Sequence, residues 1–232
     1  SYEAKKLGIH RAMPIFQIRK LYPEVVILDH HFHLYRDISD RMHEIVHSYL
    51  DMVERYSIDE CFALVTNADI AYFGKGDPVK AIRAIKDEVQ SATKVTYSFG
   101  LARTKALAKI ASKLKKPDGL VALLTKEDEN RALQATPISD VWGIGRRTVP
   151  RFENLGMKTA YDFAHYDSRI IERYFSEPVL DLQRELRGEP VLSVEVESDP
   201  RDQKSLQSTG TFRPASADQK VIWSELAENV EH

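Results

Sequence analysis

The chain has 232 residues, 43% of them hydrophobic and 29% charged, with a formal net charge of −2. That composition supplies enough apolar material for a substantial core and more than one folding unit, and it excludes a disordered or fibrous chain. No apolar run is long enough to span a bilayer, and the start Ser1-Tyr2-Glu3-Ala4-Lys5-Lys6 is unlike a signal peptide, so a cytoplasmic protein without membrane contact is expected. The single Cys61 excludes an internal disulfide framework, and one thiol cannot build a zinc site.

Charge is unevenly spread. Residues 101–151 hold eleven Lys or Arg against five Asp or Glu, which leaves the remainder acidic. A basic segment of this kind is either a solvated helix face or a surface for a polyanion.

In chain order, Pro14 suits the first turn of a short helix running to about Leu21, and Pro23 ends it. Val25-Val26-Ile27-Leu28 reads as a buried strand. Nothing before it offers a strand partner, so the chain is expected to lack residues that its parent protein has. Leu34, Ile38, Met42, Ile45, Val46, Tyr49 and Leu50 recur at helical spacing and predict an amphipathic helix of about seventeen residues. The histidines of Asp29-His30-His31-Phe32-His33 adjoin a link with no fixed ligand geometry. His43 and His47 lie four apart without a recognisable third ligand, and a solvated polar face is the reading for the pair.

Val53 to Thr66 is expected to form an acidic hairpin that includes Arg55-Tyr56-Ser57-Ile58-Asp59-Glu60-Cys61-Phe62. Carboxylates are rarely buried unless paired or metal-bound, and a hard cation such as Mg²⁺ takes oxygen ligands. Asp59-Glu60 is therefore either a metal site or a solvated acidic turn. In one continuous strand the two side chains would point to opposite faces. Convergence on a metal requires a hairpin apex or an irregularity.

Asp77-Pro78 starts a helix carrying Val79, Ile82, Ile85 and Val89 inward. Lys94 to Phe99 reads as a strand, Gly100 as a turn, and Thr104 as the cap of a helix with Leu107, Ile110 and Leu114 inward. The opposite face of that helix carries Lys105, Lys109, Lys113 and Lys116. Such a row is a solvated face or, beside metal-binding acids, a site for a triphosphate. Lys116-Pro117-Asp118-Gly119 predicts a turn before an apolar strand from Leu120 to Leu124. Helices and strands alternate, which gives a mixed α/β or α+β class.

The stretch from Pro137 to Arg147 predicts a short helix, a turn at Gly143-Ile144-Gly145 and a new helix start, with Arg146 and Arg147 adding charge. Backbone N–H groups exposed in such a turn bind phosphate. Leu155-Gly156 ends the following helix and Thr159 caps the next. Together these features resemble a helix-hairpin-helix module, which grips the DNA backbone without reading sequence. Glu195 to Ser205 reads as a linker, Ser208 to Arg213 as a strand and Ala217 to Val230 as a helix.

Four stretches, taken in order, resemble successive motifs of Y-family DNA polymerases, the UmuC and DinB branch in particular. They are Ser1-Tyr2-Glu3-Ala4-Lys5-Lys6-Leu7-Gly8-Ile9, Tyr56 to Phe62, Gly100-Leu101-Ala102-Arg103-Thr104-Lys105-Ala106-Leu107-Ala108-Lys109, and Asp140-Val141-Trp142-Gly143-Ile144-Gly145. Their order and spacing agree over almost the whole chain. The resemblance implies an α+β fold of right-hand architecture: partial fingers at 1–30, a palm β-sheet flanked by helices at 31–116, and a helical thumb with the helix-hairpin-helix at 117–190. A linker at 191–207 and the start of a little finger at 208–232 follow.

The resemblance also implies DNA synthesis past lesions by template-directed, two-metal nucleotidyl transfer, with primer–template DNA and dNTP as partners and Mg²⁺ as cofactor. Asp59 and Glu60 are the implied catalytic and metal-ligating residues, at a palm hairpin. Tyr2, Lys5 and Lys109 are the implied nucleotide contacts, and Gly143, Ile144, Gly145 and Arg146 the implied DNA contacts. Lys5 stands where many relatives have arginine, which keeps the charge and loses the bidentate fork. A sliding clamp, a recombinase filament or an accessory subunit is the implied recruiting partner. The family's first palm motif is expected to precede Ser1 and most of the little finger to follow His232, so the chain alone is expected to be inactive or nearly so. The alternatives are a palm-type nucleotide cyclase that uses the same acids without a template, and a non-catalytic DNA-binding module.

Overall fold

The computed structural model describes residues 1–196 and 215–231. Contacts divide the chain into two units, Ser1–Asp40 and Arg41–His232. The first holds α1 (Tyr2–Lys6), α2 (Ile15–Leu21) and the start of α3 (Phe32–Tyr49). The Ser1 hydroxyl caps α1 by accepting from the Ala4 N–H, and Pro14 precedes α2 as expected. The buried strand expected at Val25 to Leu28 is not formed: these residues join no ladder, and Val26 is 78% and Leu28 83% exposed. A strand needs a neighbour for its N–H and C=O groups, and no described strand runs beside this segment.

In the second unit, Met42 and Val46 of α3 and Leu50 just past its end enter a core completed by Val53, Ile82, Ile85 and Val89. The solvated reading of His43 and His47 holds only for His47. His43 is 1% exposed, because position 43 falls on the inward stripe between Met42 and Val46. β1 (Val53–Ser57) and β2 (Glu60–Ala63) pair antiparallel, with Val53 opposite Ala63 and Glu54 opposite Phe62. A helix not foreseen from apolar spacing, α4 (Asn67–Gly74), is started by a reciprocal capping box between Thr66 and Asp69. The next, α5 (Pro78–Thr93), begins at Asp77, whose carboxylate accepts from the Val79 and Lys80 N–H groups.

β3 (Phe99–Leu101) and β4 (Leu120–Ala122) are parallel, with α6 (Lys105–Leu114) in the crossover between them. Of the strand expected at Lys94 to Phe99, only its last residue belongs to a ladder. Lys94 adopts a left-handed conformation with φ 59° that closes α5, and the chain straightens only later. Gly100 is correspondingly not a turn; it lies at the centre of β3, under α6. A Cβ at this position would stand 2.2 Å from the Ala108 carbonyl oxygen and 2.5 Å from the Ser112 nitrogen. Only a glycine lets strand and helix approach so closely.

The remaining helices are α7 (Lys126–Ala135), α8 (Val149–Asn154), α9 (Ala160–His165), α10 (Ser168–Tyr174) and α11 (Glu177–Leu186), with a 3-10 turn at Ile138–Asp140. They enclose a second core in which Leu107, Phe152, Met157, Phe163, Ile171 and Leu186 are fully buried. Thr159 caps α9 through a capping box with Asp162, as its place in the sequence predicts. A terminal helix, α12 (Gln219–Glu231), matches the expected one. The strand expected at Ser208 to Arg213 and most of the expected linker lie outside the described residues. No described helix is long and apolar enough to cross a membrane. Short sheets among many helices make the fold α+β.

Candidate functional site

Asp59 and Ile58 form the two-residue turn between β1 and β2. Asp59 is exposed, and its Oδ1 accepts a hydrogen bond from Ser57 Oγ at 2.8 Å. Glu60 opens β2, and its Oε1 lies 2.7 Å from Lys109 Nζ. A register shift between Arg55 and Ser57 breaks the ladder just before the turn. Both exceptions to strict strand alternation, an apex and an irregularity, are thus present at the acidic pair.

The face of α6 that carries Lys105, Lys109 and Lys113 lies against this hairpin and beyond it. Lys105 is ion-paired with Glu54 and stands 5.0 Å from the Phe62 ring centre. Lys109 Nζ is 5.7 Å from the Tyr56 ring centre as well as bonded to Glu60. Lys113 Nζ donates to the Asp140 carbonyl at 2.8 Å. Desolvation and then the neighbouring Lys109 charge hold the Lys113 ammonium below the ordinary lysine range. The row is therefore not a plain solvated face. Lys116, at its end, is exposed and has no side-chain partner among the described residues. Cys61 belongs to the other face of the hairpin, packed on the first core, and burial pushes its thiol up to about 11, which disfavours the thiolate.

The Gly143-Ile144-Gly145 turn follows the 3-10 turn and precedes α8. Gly143 takes φ +84°, a conformation that favours glycine. Ile144 is buried and anchors the turn, whereas Gly143, Gly145, Arg146 and Arg147 are exposed. Among the described residues the N–H groups of Gly143, Gly145 and Arg146 have no acceptor, which leaves them available to an anion. Trp142, immediately before the turn, donates from Nε1 to the Tyr56 hydroxyl at 3.0 Å.

Asp59, Glu60, Lys109 and the glycine turn are thus all in one unit. Tyr2 and Lys5 belong to the first unit, one turn apart on α1, with Lys5 Nζ 4.9 Å from the Tyr2 ring centre. Sequence reasoning missed Glu54 and gave no role to Tyr56, Phe62 or Trp142. No local signal marks Glu54: it shares a face with Glu60 only because the hairpin pairs it with Phe62, two residues beyond Glu60.

Asp59 and Glu60 each keep an oxygen without a protein partner among the described residues. These are hard donors, and Mg²⁺ is commonly held by one or two carboxylates with the rest of its shell from phosphates and water. The donor set fits such a shared cation. It does not fit a metal caged by protein alone, since no described group of three or more His, Cys, Asp or Glu could hold one.

The fold is similar to that of DinB-family DNA polymerases. A DinB-family error-prone DNA polymerase from Sulfolobus solfataricus matches it with a TM-score of 0.72 at 28% identity, over 84% of this chain and 58% of that one. Residues 1–113 match the impB/mucB/samB family and residues 126–157 the IMS family HHH motif. Protein UmuC of Salmonella typhimurium is 36% identical over 84% of this chain and 47% of its own length. DNA polymerase IV of Neisseria meningitidis serogroup B is 31% identical over 100% of this chain and 74% of its own. The chain belongs to the impB/mucB/samB family, the Y-family of DNA polymerases. It spans about half the length of UmuC.

Proposed function

We propose that the chain serves template-directed DNA synthesis past lesions, with primer–template DNA and dNTP as its ligands, in the cytoplasm. The observation that carries this reading is the exposed Asp59 and half-buried Glu60 set against the lysine row of α6, in the same unit as a glycine turn with free N–H groups. Asp59 and Glu60 would hold Mg²⁺. The chemistry supplied by two such ions is activation of the primer 3′-hydroxyl and neutralisation of charge on the transferring phosphoryl group.

The chain's own groups do the rest. Lys109 balances the Glu60 carboxylate and offers its charge to the polyphosphate when nucleotide arrives. Tyr2 and Lys5 present a ring and an ammonium together, and Lys5 supplies charge without the two-pronged orientation of an arginine. The N–H groups of Gly143, Gly145 and Arg146, with Ile144 as their anchor, hold the DNA backbone through phosphate, independent of base sequence. A sliding clamp, a recombinase filament or an accessory subunit would recruit the protein to damaged DNA.

A second reading, a DNA-binding module without catalysis, is favoured by the glycine turn alone, because its free N–H groups need no acid nearby. Incubation with labelled primer–template, Mg²⁺ and all four dNTPs separates the readings. Extension, or Mg²⁺-dependent dNTP binding without extension, that Asp59→Asn abolishes supports synthesis, the second being the result expected of this chain by itself. Duplex binding without extension, with nucleotide binding indifferent to Asp59→Asn, supports the module. Product made from nucleotide with no primer supports a cyclase.

A further inference from the structure

Three elements of the second unit close a ring of contacts. The hairpin is tied to α6 by Glu60 and Lys109, 2.7 Å apart, and α6 is tied to the helix-hairpin-helix by Lys113 Nζ and the Asp140 carbonyl, 2.8 Å apart. The third side joins the helix-hairpin-helix directly to the hairpin. Trp142 Nε1 donates to the Tyr56 hydroxyl at 3.0 Å. The Trp142 ring also stands 5.6 Å from the Tyr56 ring and 5.5 Å from the Phe62 ring, while those two are 5.4 Å apart. Trp142 is the residue before Gly143, and Tyr56 is three residues before Asp59. An aromatic triad thus sits between the phosphate-binding turn and the acidic apex, one residue from the first and a few from the second.

We infer that Trp142 is a positioning residue that transmits occupancy of the glycine turn to the acidic hairpin. The inference rests on the reading of that turn as a DNA grip. Two packed rings and an oriented indole N–H fix both distance and direction, whereas the lysine ties of the other two sides end in flexible four-carbon stems. When the turn is held by a phosphate backbone, the indole is held with it, and the hairpin loses freedom through the Tyr56 and Phe62 rings. Without the indole, the lysine ties remain and the elements still pack, but the stiff side of the ring is gone.

The test is amide hydrogen exchange of the full chain with and without a saturating non-specific DNA duplex, read by mass spectrometry on peptides covering residues 53–63. Duplex binding is measured in parallel by anisotropy. In the wild type, duplex slows exchange in the hairpin by roughly tenfold, a coupling in the range common between linked sites. Trp142→Ala still binds duplex, yet its hairpin exchange is unchanged by it. Trp142→Phe, which keeps a ring and loses the donor, and Tyr56→Phe, which loses only the acceptor, give intermediate slowing. A merely structural role would instead speed exchange in the absence of DNA, in α6 and the second core as well as in the hairpin. The inference is overturned if duplex leaves the wild-type hairpin unprotected, if Trp142→Ala is protected as the wild type is, or if the variants differ only without DNA. A wild-type chain that binds no duplex overturns the DNA-grip reading and the coupling together, whereas duplex binding without hairpin protection overturns the coupling alone.

Discussion

Lys109 Nζ lies 2.7 Å from Glu60 Oε1, with the lysine side chain 13% and the glutamate 37% exposed. One turn earlier on the same helix, Lys105 is paired with Glu54. The basic face of α6 and the acidic hairpin therefore neutralise each other in part, and under the proposed function a polyphosphate would compete with carboxylates for the ammonium groups.

That competition gives the first expectation. Lys109→Met removes a partly solvated pair, so the unfolding free energy falls by no more than about 1 kcal/mol. Affinity for dNTP in Mg²⁺, read by calorimetry, falls tenfold or more, and Lys109→Arg recovers part of it. If Lys116→Met weakens nucleotide binding and Lys109→Met does not, the phosphates are met at the far end of the lysine row.

Asp59 is exposed at the turn and its one side-chain bond is to Ser57. Asp59→Asn should change stability by less than about 0.5 kcal/mol. The same variant should abolish the Mg²⁺ dependence of dNTP binding, because the amide no longer offers a charged oxygen to the cation. A thermal shift of several degrees with metal dependence intact would make Asp59 a structural turn residue.

Gly100 and Gly143 should respond differently to alanine. At Gly100 the new methyl meets backbone atoms of α6 at 2.2 and 2.5 Å, so β3 and α6 must move apart at a cost of about 3 kcal/mol, roughly a 10 °C fall in melting temperature. At Gly143 the nearest atom is Leu182 Cδ2 at 3.6 Å, and only the positive φ is penalised, by about 1 kcal/mol. Melting curves for the two variants side by side test the ranking.

Glu129 is 1% exposed and receives Arg103 Nε and Nη2, each at 2.8 Å, together with Lys126 at 3.0 Å. Burial pushes its carboxyl up, and the Arg103 and Lys126 bonds outweigh burial, so it is held below its ordinary value of 4.5. A depressed carboxyl stabilises the fold above the ordinary range and loses that contribution as pH falls through the lower folded value. Arg103→Met should cost about 2 kcal/mol at neutral pH, less than for a wholly buried pair because Arg103 is half-exposed and Lys126 remains. The Glu129 carboxyl then rises, and acid unfolding starts at higher pH. Urea midpoints measured from neutral pH down to about pH 3 would contradict this if the two acid limbs coincide.

Glu185 is fully buried and accepts from three backbone N–H groups: Ala106 at 3.1 Å, Val191 at 2.8 Å and Leu192 at 2.9 Å. It joins α11, the start of α6 and the segment that follows α11. Glu185→Ala should cost roughly 3 kcal/mol, since each orphaned donor pays its desolvation penalty. Proteolysis at residues 191–196 should accelerate as well, and unchanged cleavage there would show that the segment is held by something else.

How much of this was legible in the sequence varies by element. Capped helices were readable at Asp77, Thr104 and Thr159, because a cap is a bond between residues two or three apart. The Thr66–Asp69 box carries the same local signal, yet α4 lacks the apolar spacing that marks the longer helices. Strands fared worse: Val25 to Leu28 has the composition of a strand and no partner, while Gly100 has the composition of a turn and sits in a ladder. A strand is defined by its neighbour, which local composition does not name.

The sequence by itself determined the family motifs, the acidic pair at Asp59-Glu60 and the glycine turn at Gly143 to Gly145, since each is a run of adjacent residues. Tertiary structure alone decided that Glu60 meets Lys109, that Glu54 meets Lys105 and that Trp142 reaches Tyr56 across 86 positions. Such pairings depend on how helix, hairpin and turn pack, and packing is set by summed burial over whole faces rather than by any local pattern.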